Sequence, residues 1–114
     1  MKFDRDLTRS VTEPIVLQLL KERAMYGYEI IKVVNVRSDN AFQWKEGTLY
    51  PCLHRLEKRK LIESYWEVPE EGRKRKYYAL TKAGAKLCDE KVSEWKAFSN
   101  VVTSLLFNAG EERA

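Results

Sequence analysis

The chain has 114 residues, 44% of them hydrophobic, which fits one globular domain. Its formal charge of +4 and isoelectric point near 9.1 permit a nucleic-acid partner without requiring one. No stretch approaches the roughly 20 apolar residues of a membrane span, and the opening MKFDRDLTRS lacks the apolar core of a secretory signal. A soluble, cytoplasmic protein with no membrane partner is expected. Cys52 and Cys88 have no CxxC spacing, and His54 is the only histidine, so neither a metal site nor a cofactor is expected. The cysteines read as small apolar packing residues in a reducing compartment.

The first helix is predicted to begin between Leu7 and Thr12 and to end near Arg23, because a proline such as Pro14 is tolerated only in a first turn or at a kink. Ile15, Val16, Leu19 and Leu20 recur at helical spacing, and Leu7 and Val11 extend the stripe. After Gly27 a second helix is expected near Tyr28 to Val36, with Ile30, Val33 and Val34 inward and Ile31 close by. Ser38-Asp39-Asn40 signals a turn, and Phe42-Gln43-Trp44 reads as a short extended stub of strand.

The third helix opens near Glu46 and carries GTLYPCLHRLEK. At about 100° per residue, Leu49, Cys52, Leu53 and Leu56 fall in one apolar arc. Gly47, Tyr50, Pro51, His54, Arg55 and Lys58 fall opposite. A start at Gly47 or Thr48 would put Pro51 in the first turn, where the free N–H groups of a helix attract phosphates. The outer face has two readings. It is either a solvated helix side or a set of groups for a DNA groove, with Arg55 and Lys58 able to reach phosphates or guanine edges. Tyr50, Pro51 and His54 favour the second, since a merely solvated face usually carries more Glu, Lys and Gln. Lys45 and Thr48 flank the same helix start.

Ile62 to Glu67 alternates and reads as a strand. Pro69-Glu70-Glu71-Gly72 reads as a turn, and Lys74 to Leu80 as the second strand of a hairpin, with Arg75 and Tyr77 on one face and Lys76, Tyr78 and Leu80 on the other. Arg73, Lys74, Arg75 and Lys76 are expected at the hairpin tip. Four adjacent cations are either a solvated run or a contact for an anion such as a DNA groove. Thr81 caps a last helix reaching about Phe107, and Gly110 to Ala114 should fray.

The order helix, helix, helix, hairpin, helix predicts a mainly α (α+β) chain. Residues 1–80 would form a winged helix-turn-helix and residues 81–110 a long C-terminal dimerisation helix, in one compact unit. In the last helix Cys88, Val92, Trp95, Ser99, Val102 and Leu106 recur at 4-3-4-3-4 spacing, broadened by Phe98, Val101 and Leu105. Such a stripe exceeds what a small core covers, so Cys88, Val92, Trp95, Phe98, Val102, Leu105 and Leu106 are expected at a twofold homodimer interface against the partner's first helix. Two recognition helices about 34 Å apart would meet successive major grooves. Trp95 either fills a core or lines a cavity. No catalytic constellation is present, so no enzyme activity is expected. The rival to DNA binding is a winged-helix module for protein–protein contact, against which the basic wing and Arg55 argue.

At these residues the chain resembles the PadR family of bacterial transcriptional regulators. The resemblance rests on Tyr26-Gly27-Tyr28-Glu29-Ile30, then Gly47-Thr48-Leu49-Tyr50-Pro51 with Leu53, Arg55, Leu56 and Glu57. Gly72-Arg73, Lys76-Tyr77-Tyr78, Leu80-Thr81 and Ala83-Gly84 follow, in family order and spacing. It implies a homodimer that binds a palindromic operator in double-stranded DNA, usually as a repressor, and releases it when a small aromatic or cationic molecule binds. The single last helix looks like the short branch of the family. There, a tryptophan and its twofold mate sandwich planar aromatic drugs, and Trp95 stands at the matching place. By the match Leu7, Val11, Pro14, Leu17 and Gln18 would wall the pocket, with Val92 and Ser99 beside Trp95. The chain departs from the family in a wing with one glycine, in Pro14 where an aliphatic residue is commoner, and in Ser99, which offers no negative charge to a cationic drug.

Overall fold

The computed structural model describes residues 2–69 and 72–108. Its elements are α1 (Arg5–Glu22), β1 (Met25–Tyr26), α2 (Gly27–Arg37), α3 (Glu46–Lys58), β2 (Ile62–Glu67), β3 (Arg75–Leu80) and α4 (Lys82–Phe107). The three strands form an antiparallel sheet in the order β1-β3-β2. The expected α+β order of three helices, a hairpin and a long helix is the order found. The expected fraying of Gly110 to Ala114 lies outside the described residues.

The core is built from one stripe of each helix and the inner face of the sheet. Val16, Leu17 and Leu20 of α1, Ile30, Ile31 and Val34 of α2, and Leu49, Cys52, Leu53 and Leu56 of α3 are buried together with Met25, Ile62 and Tyr78. Ile31 is buried and Val33 only partly so, which reverses the order expected for α2. Cys88, near the start of α4, is fully buried in this core and its thiol donates to Gln18 Oε1 on α1 at 3.3 Å. Lys21 of α1 also pairs with Asp89 of α4. The first turns of α4 therefore belong to the same packed body, while its later residues project from it. Thr81 caps α4 as expected, its hydroxyl accepting from Gly84 N at 3.0 Å.

Three local expectations are corrected and one further element, β1, is present. α1 starts at Arg5, so Pro14 lies in mid-helix rather than in a first turn. Its ring removes only the bond to the Ser10 carbonyl, and Ser10 is exposed, so water can take the freed acceptor. In the same way α3 starts at Glu46 and Pro51 sits in its second turn, freeing the carbonyl of exposed Gly47. Phe42-Gln43-Trp44 is not a strand. The Asn35 side chain brackets it, with Oδ1 accepting from Trp44 N at 2.8 Å and Nδ2 donating to Trp44 O at 3.1 Å, and Ser38 Oγ accepts from Phe42 N at 3.1 Å. A side-chain amide thus replaces a ladder partner. Finally, β1 pairs Met25 with Tyr78 and Tyr26 with Tyr77. Two residues are too short to show the alternation that identifies a strand.

α2 and α3 both end in a left-handed residue. Asp39 (φ 53°) and Lys60 (φ 63°) occupy the position after the C-cap. Asn40 N donates to Asn35 O at 2.8 Å and Leu61 N to Leu56 O at 3.0 Å, so each end closes in the same six-residue loop.

Candidate nucleic-acid interface and adjoining groove

α3 divides its faces as its sequence requires. Leu49, Cys52, Leu53 and Leu56 are buried, while Gly47, Thr48, Tyr50, Pro51, His54 and Lys58 are exposed, with Lys45 exposed at the N-cap. Burial, then the nearby carboxylate of Glu13, pushes the Cys52 thiol up to about 11. Tyr50 is 41% exposed and its ring lies over Gly27, the first residue of α2. A Cβ at Gly27 would fall 2.7 Å from Tyr50 Cζ, so only glycine lets the ring settle there. Burial, then Glu46, raises the Tyr50 hydroxyl above the usual phenol range. Tyr50 thereby fixes α3 against α2 while keeping one edge outward.

Arg55 departs from the expected reading face. It leans to the flank, where its Nε lies 3.6 Å from Glu13 Oε2 on α1. Arg59, one turn later, donates to Glu13 Oε1 at 2.9 Å. The exposed groups that face outward without such a tether are Tyr50, Pro51, His54 and Lys58.

The wing joins α3 through Glu57, which accepts from Ser64 on β2 and lies 4.0 Å from Lys76 Nζ on β3. Arg75 pairs across from Glu67 and Lys76 from Trp66, so both stand inside the strand rather than at the tip. Only Arg73 and Lys74 precede β3, both exposed, beside Gly72 with φ 121°. Of the predicted turn, residues 70 and 71 lie outside the described residues. Three of the four cations lie over an aromatic ring: Lys74 Nζ is 5.4 Å from the centre of Trp66, the Arg75 guanidinium 4.3 Å from that of Tyr26, and Lys76 Nζ 5.7 Å from that of Tyr78. Tyr77 stacks on Tyr65 at 5.8 Å and meets Tyr26 edge-on at 5.5 Å. Aromatic rings therefore stiffen and orient the basic wing.

Between α1 and α4 runs an open groove of about 870 Å³. Leu7, Val11, Pro14, Trp95 and Ser99 line it, Leu17 forms part of its buried floor, and Phe98 and Val102 continue the α4 wall. Two expected wall residues lie elsewhere. Gln18 is held on Cys88, and Val92 does not border the groove. Phe3 and Phe42 close one end, meeting edge-on at 5.7 Å. Trp95 is 52% exposed, so it does not fill the core of its own chain. Phe98, Leu105 and Leu106 are 64%, 69% and 68% exposed. Cys88, expected at the same interface, is buried within its own chain and offers no surface to a partner. Among the described residues no group of three or more His, Cys, Asp or Glu side chains converges as a metal site. No described helix is long and apolar enough to cross a membrane.

Residues 16–90 match the model of the transcriptional regulator PadR-like family. The chain belongs to the PadR-like family of transcriptional regulators. A transcriptional regulator from Clostridium thermocellum superposes with a TM-score of 0.83 at 36% identity, covering 91% of this chain and 98% of that one. A PadR family transcription regulator from Clostridium difficile gives 0.73 at 36% identity, with 84% and 98% covered. An uncharacterised protein of Lysinibacillus sphaericus is 40% identical over 107 residues, 94% of this chain and 96% of its own length.

Within this PadR-like chain the residues that sequence reasoning missed are Glu13, Arg59, Asn35 and Trp66. Each acts on a residue distant in sequence, so neither spacing nor periodicity announces it. Trp66 beside a basic turn was the one available signal, since an exposed indole on a strand invites a cation.

Proposed function

We propose that this PadR-like regulator is a homodimeric repressor that reads a palindromic operator in double-stranded DNA. Residues 1–80 act as the winged helix-turn-helix reader and residues 81–110 as the dimerisation helix. α3 enters the major groove with Tyr50, Pro51, His54 and Lys58 toward base edges and phosphates, and Lys45 and Thr48 at its start. Arg55 reaches the duplex from the flank of the helix. The wing sets Arg73 and Lys74 on the neighbouring backbone, supported by Arg75 and Lys76 on β3. The reading is carried by α3, whose outer face exposes Tyr50, His54 and Lys58 and is joined to a basic wing through Glu57.

The dimer is supported by the projecting part of α4, where Val92, Trp95, Phe98, Leu105 and Leu106 are all exposed. A monomer would leave this apolar face in water, which single chains rarely do. Trp95 then faces its twofold mate across the groove, and a planar aromatic molecule lodged there would regulate by preferring a spacing of the two α3 helices that does not fit DNA.

The test is fluorescence anisotropy on the chain's own upstream DNA, with Lys58→Ala and Arg73→Ala beside the parent. Each variant should weaken binding, and affinity should fall steeply with salt, by a slope of about 0.9 per neutralised phosphate. Equal, salt-insensitive binding by all three would leave the protein–protein module as the better reading. For the groove, titrating planar dyes should quench Trp95; an unquenched indole would return Trp95 to packing.

A further inference from the structure

The groove and the reading helix share a side chain. Glu13 stands in the groove wall on α1, 30% exposed, and its two carboxylate oxygens face two cations of α3. Oε1 accepts from Arg59 Nη1 at 2.9 Å, and Oε2 lies 3.6 Å from Arg55 Nε. Arg55 and Arg59 are one helical turn apart, so a single carboxylate can hold both. Arg55 itself lines the groove. Among the described residues no other carboxylate lies within ion-pair distance of either arginine. A negative charge here opposes the approach of phosphates, so its presence beside α3 calls for a role other than added affinity.

The other end of α3 also touches the groove. Phe42 borders it and stacks on Trp44 at 6.4 Å, and Trp44 is bracketed by Asn35 immediately before the N-cap Lys45. α3 thus meets the groove through a charged contact at its C-terminal half and an aromatic one at its start.

We propose that Glu13 is a positioning residue for DNA recognition. It holds Arg55 and Arg59 against α1, which keeps both cations from binding phosphates indiscriminately. Because it also walls the groove, an occupant displaces its carboxylate and is felt by α3 of the same chain, besides any change in spacing between two chains. A guanidinium fixed by a carboxylate has few orientations left, so the pair sets direction as well as charge. This inference rests on the DNA reading and is independent of any particular ligand.

The experiment measures binding to the upstream DNA and to an unrelated duplex of equal length across a salt series. The proteins are the parent, Glu13→Gln, Glu13→Asp, and Val11→Trp, which fills the groove from α1 without a ligand. Circular dichroism and sedimentation establish that each is folded and assembled like the parent. Glu13→Gln should bind the unrelated duplex about threefold or more tightly, lose operator preference, and gain a salt slope worth about one phosphate per chain. Glu13→Asp should keep the parent's slope. Adding Arg59→Gln to Glu13→Gln should remove the extra salt dependence. Val11→Trp should lower operator preference in the parent and add nothing to Glu13→Gln.

A folded Glu13→Gln with the parent's slope and preference overturns the positioning role. An equal effect of Val11→Trp in both backgrounds overturns the route from the groove. Failure of the parent itself to bind DNA would overturn the underlying reading, a result separate from either.

Discussion

α3 and α4 each leave one face outside the core, and the two faces differ in chemistry. α3 turns out His54, Lys58 and the edge of Tyr50, whereas α4 turns out Trp95, Phe98, Leu105 and Leu106. A polar, cationic face can rest in water and waits for an anion. An apolar face of this size is unfavourable in water and calls for another apolar surface. Burial inside the chain is therefore informative mainly by what it leaves out: one helix keeps a cationic face, which the proposed function gives to DNA, and the other an apolar face, which it gives to a second copy.

The largest effect that could break this contrast is on assembly. Leu105→Glu should abolish the dimer, seen as loss of concentration dependence in sedimentation, while the circular dichroism of the fold persists. The same kind of change on the outer face of α3, such as His54→Glu, should leave assembly unchanged and weaken only DNA binding. Next, the inner face of α3 should behave as an ordinary core. Leu53→Ala should cost about 3 kcal/mol in urea unfolding, because a fully buried leucine leaves a cavity. Gly27→Ala should cost about 1–3 kcal/mol through the clash with the Tyr50 ring, and Tyr50→Ala in the same chain should recover part of that loss.

Smaller effects sharpen the inner face further. Lys60→Gly should gain about 1 kcal/mol, since a side chain is strained at φ 63° where glycine is not. Cys52 carries a pH dependence of known sign. Its folded thiol is raised to about 11, so its contribution to stability is complete below the unfolded thiol range near 8.5 and is lost as pH rises toward 11. Folded protein at pH 9 should therefore resist iodoacetamide at Cys52, by mass spectrometry, while urea-unfolded protein reacts.

Much of this architecture is legible in the sequence because it depends on local period. The arc Leu49, Cys52, Leu53, Leu56 follows from the helical period, β2 from an alternating run, and the Thr81 cap from its residue type. What escaped depends on partners far along the chain. Arg55 reads as an unpaired cation, and only the fold shows that Glu13, 42 residues earlier by their numbers, pairs with it. Cys88 lies on the same stripe as Trp95, and a stripe cannot tell a chain's own core from its partner's surface. Phe42 to Trp44 reads as extended because nothing in its composition reveals the Asn35 amide. Pro14 suggested a late helix start, and only the fold shows it in mid-helix with exposed Ser10 one turn before it. At the wing the strand reading of Arg75 and Lys76 agrees with their pairing in the ladder, whereas grouping all four cations at the tip does not.

In the proposed function two copies joined through α4 present two α3 helices to one duplex. Sedimentation velocity of the chain with a labelled duplex of its own upstream region tests this most directly. A complex of two chains per duplex should form and should dissociate from DNA as salt rises while the dimer persists. A monomer bound alone to the duplex, or a dimer that ignores the DNA at low salt, would contradict it.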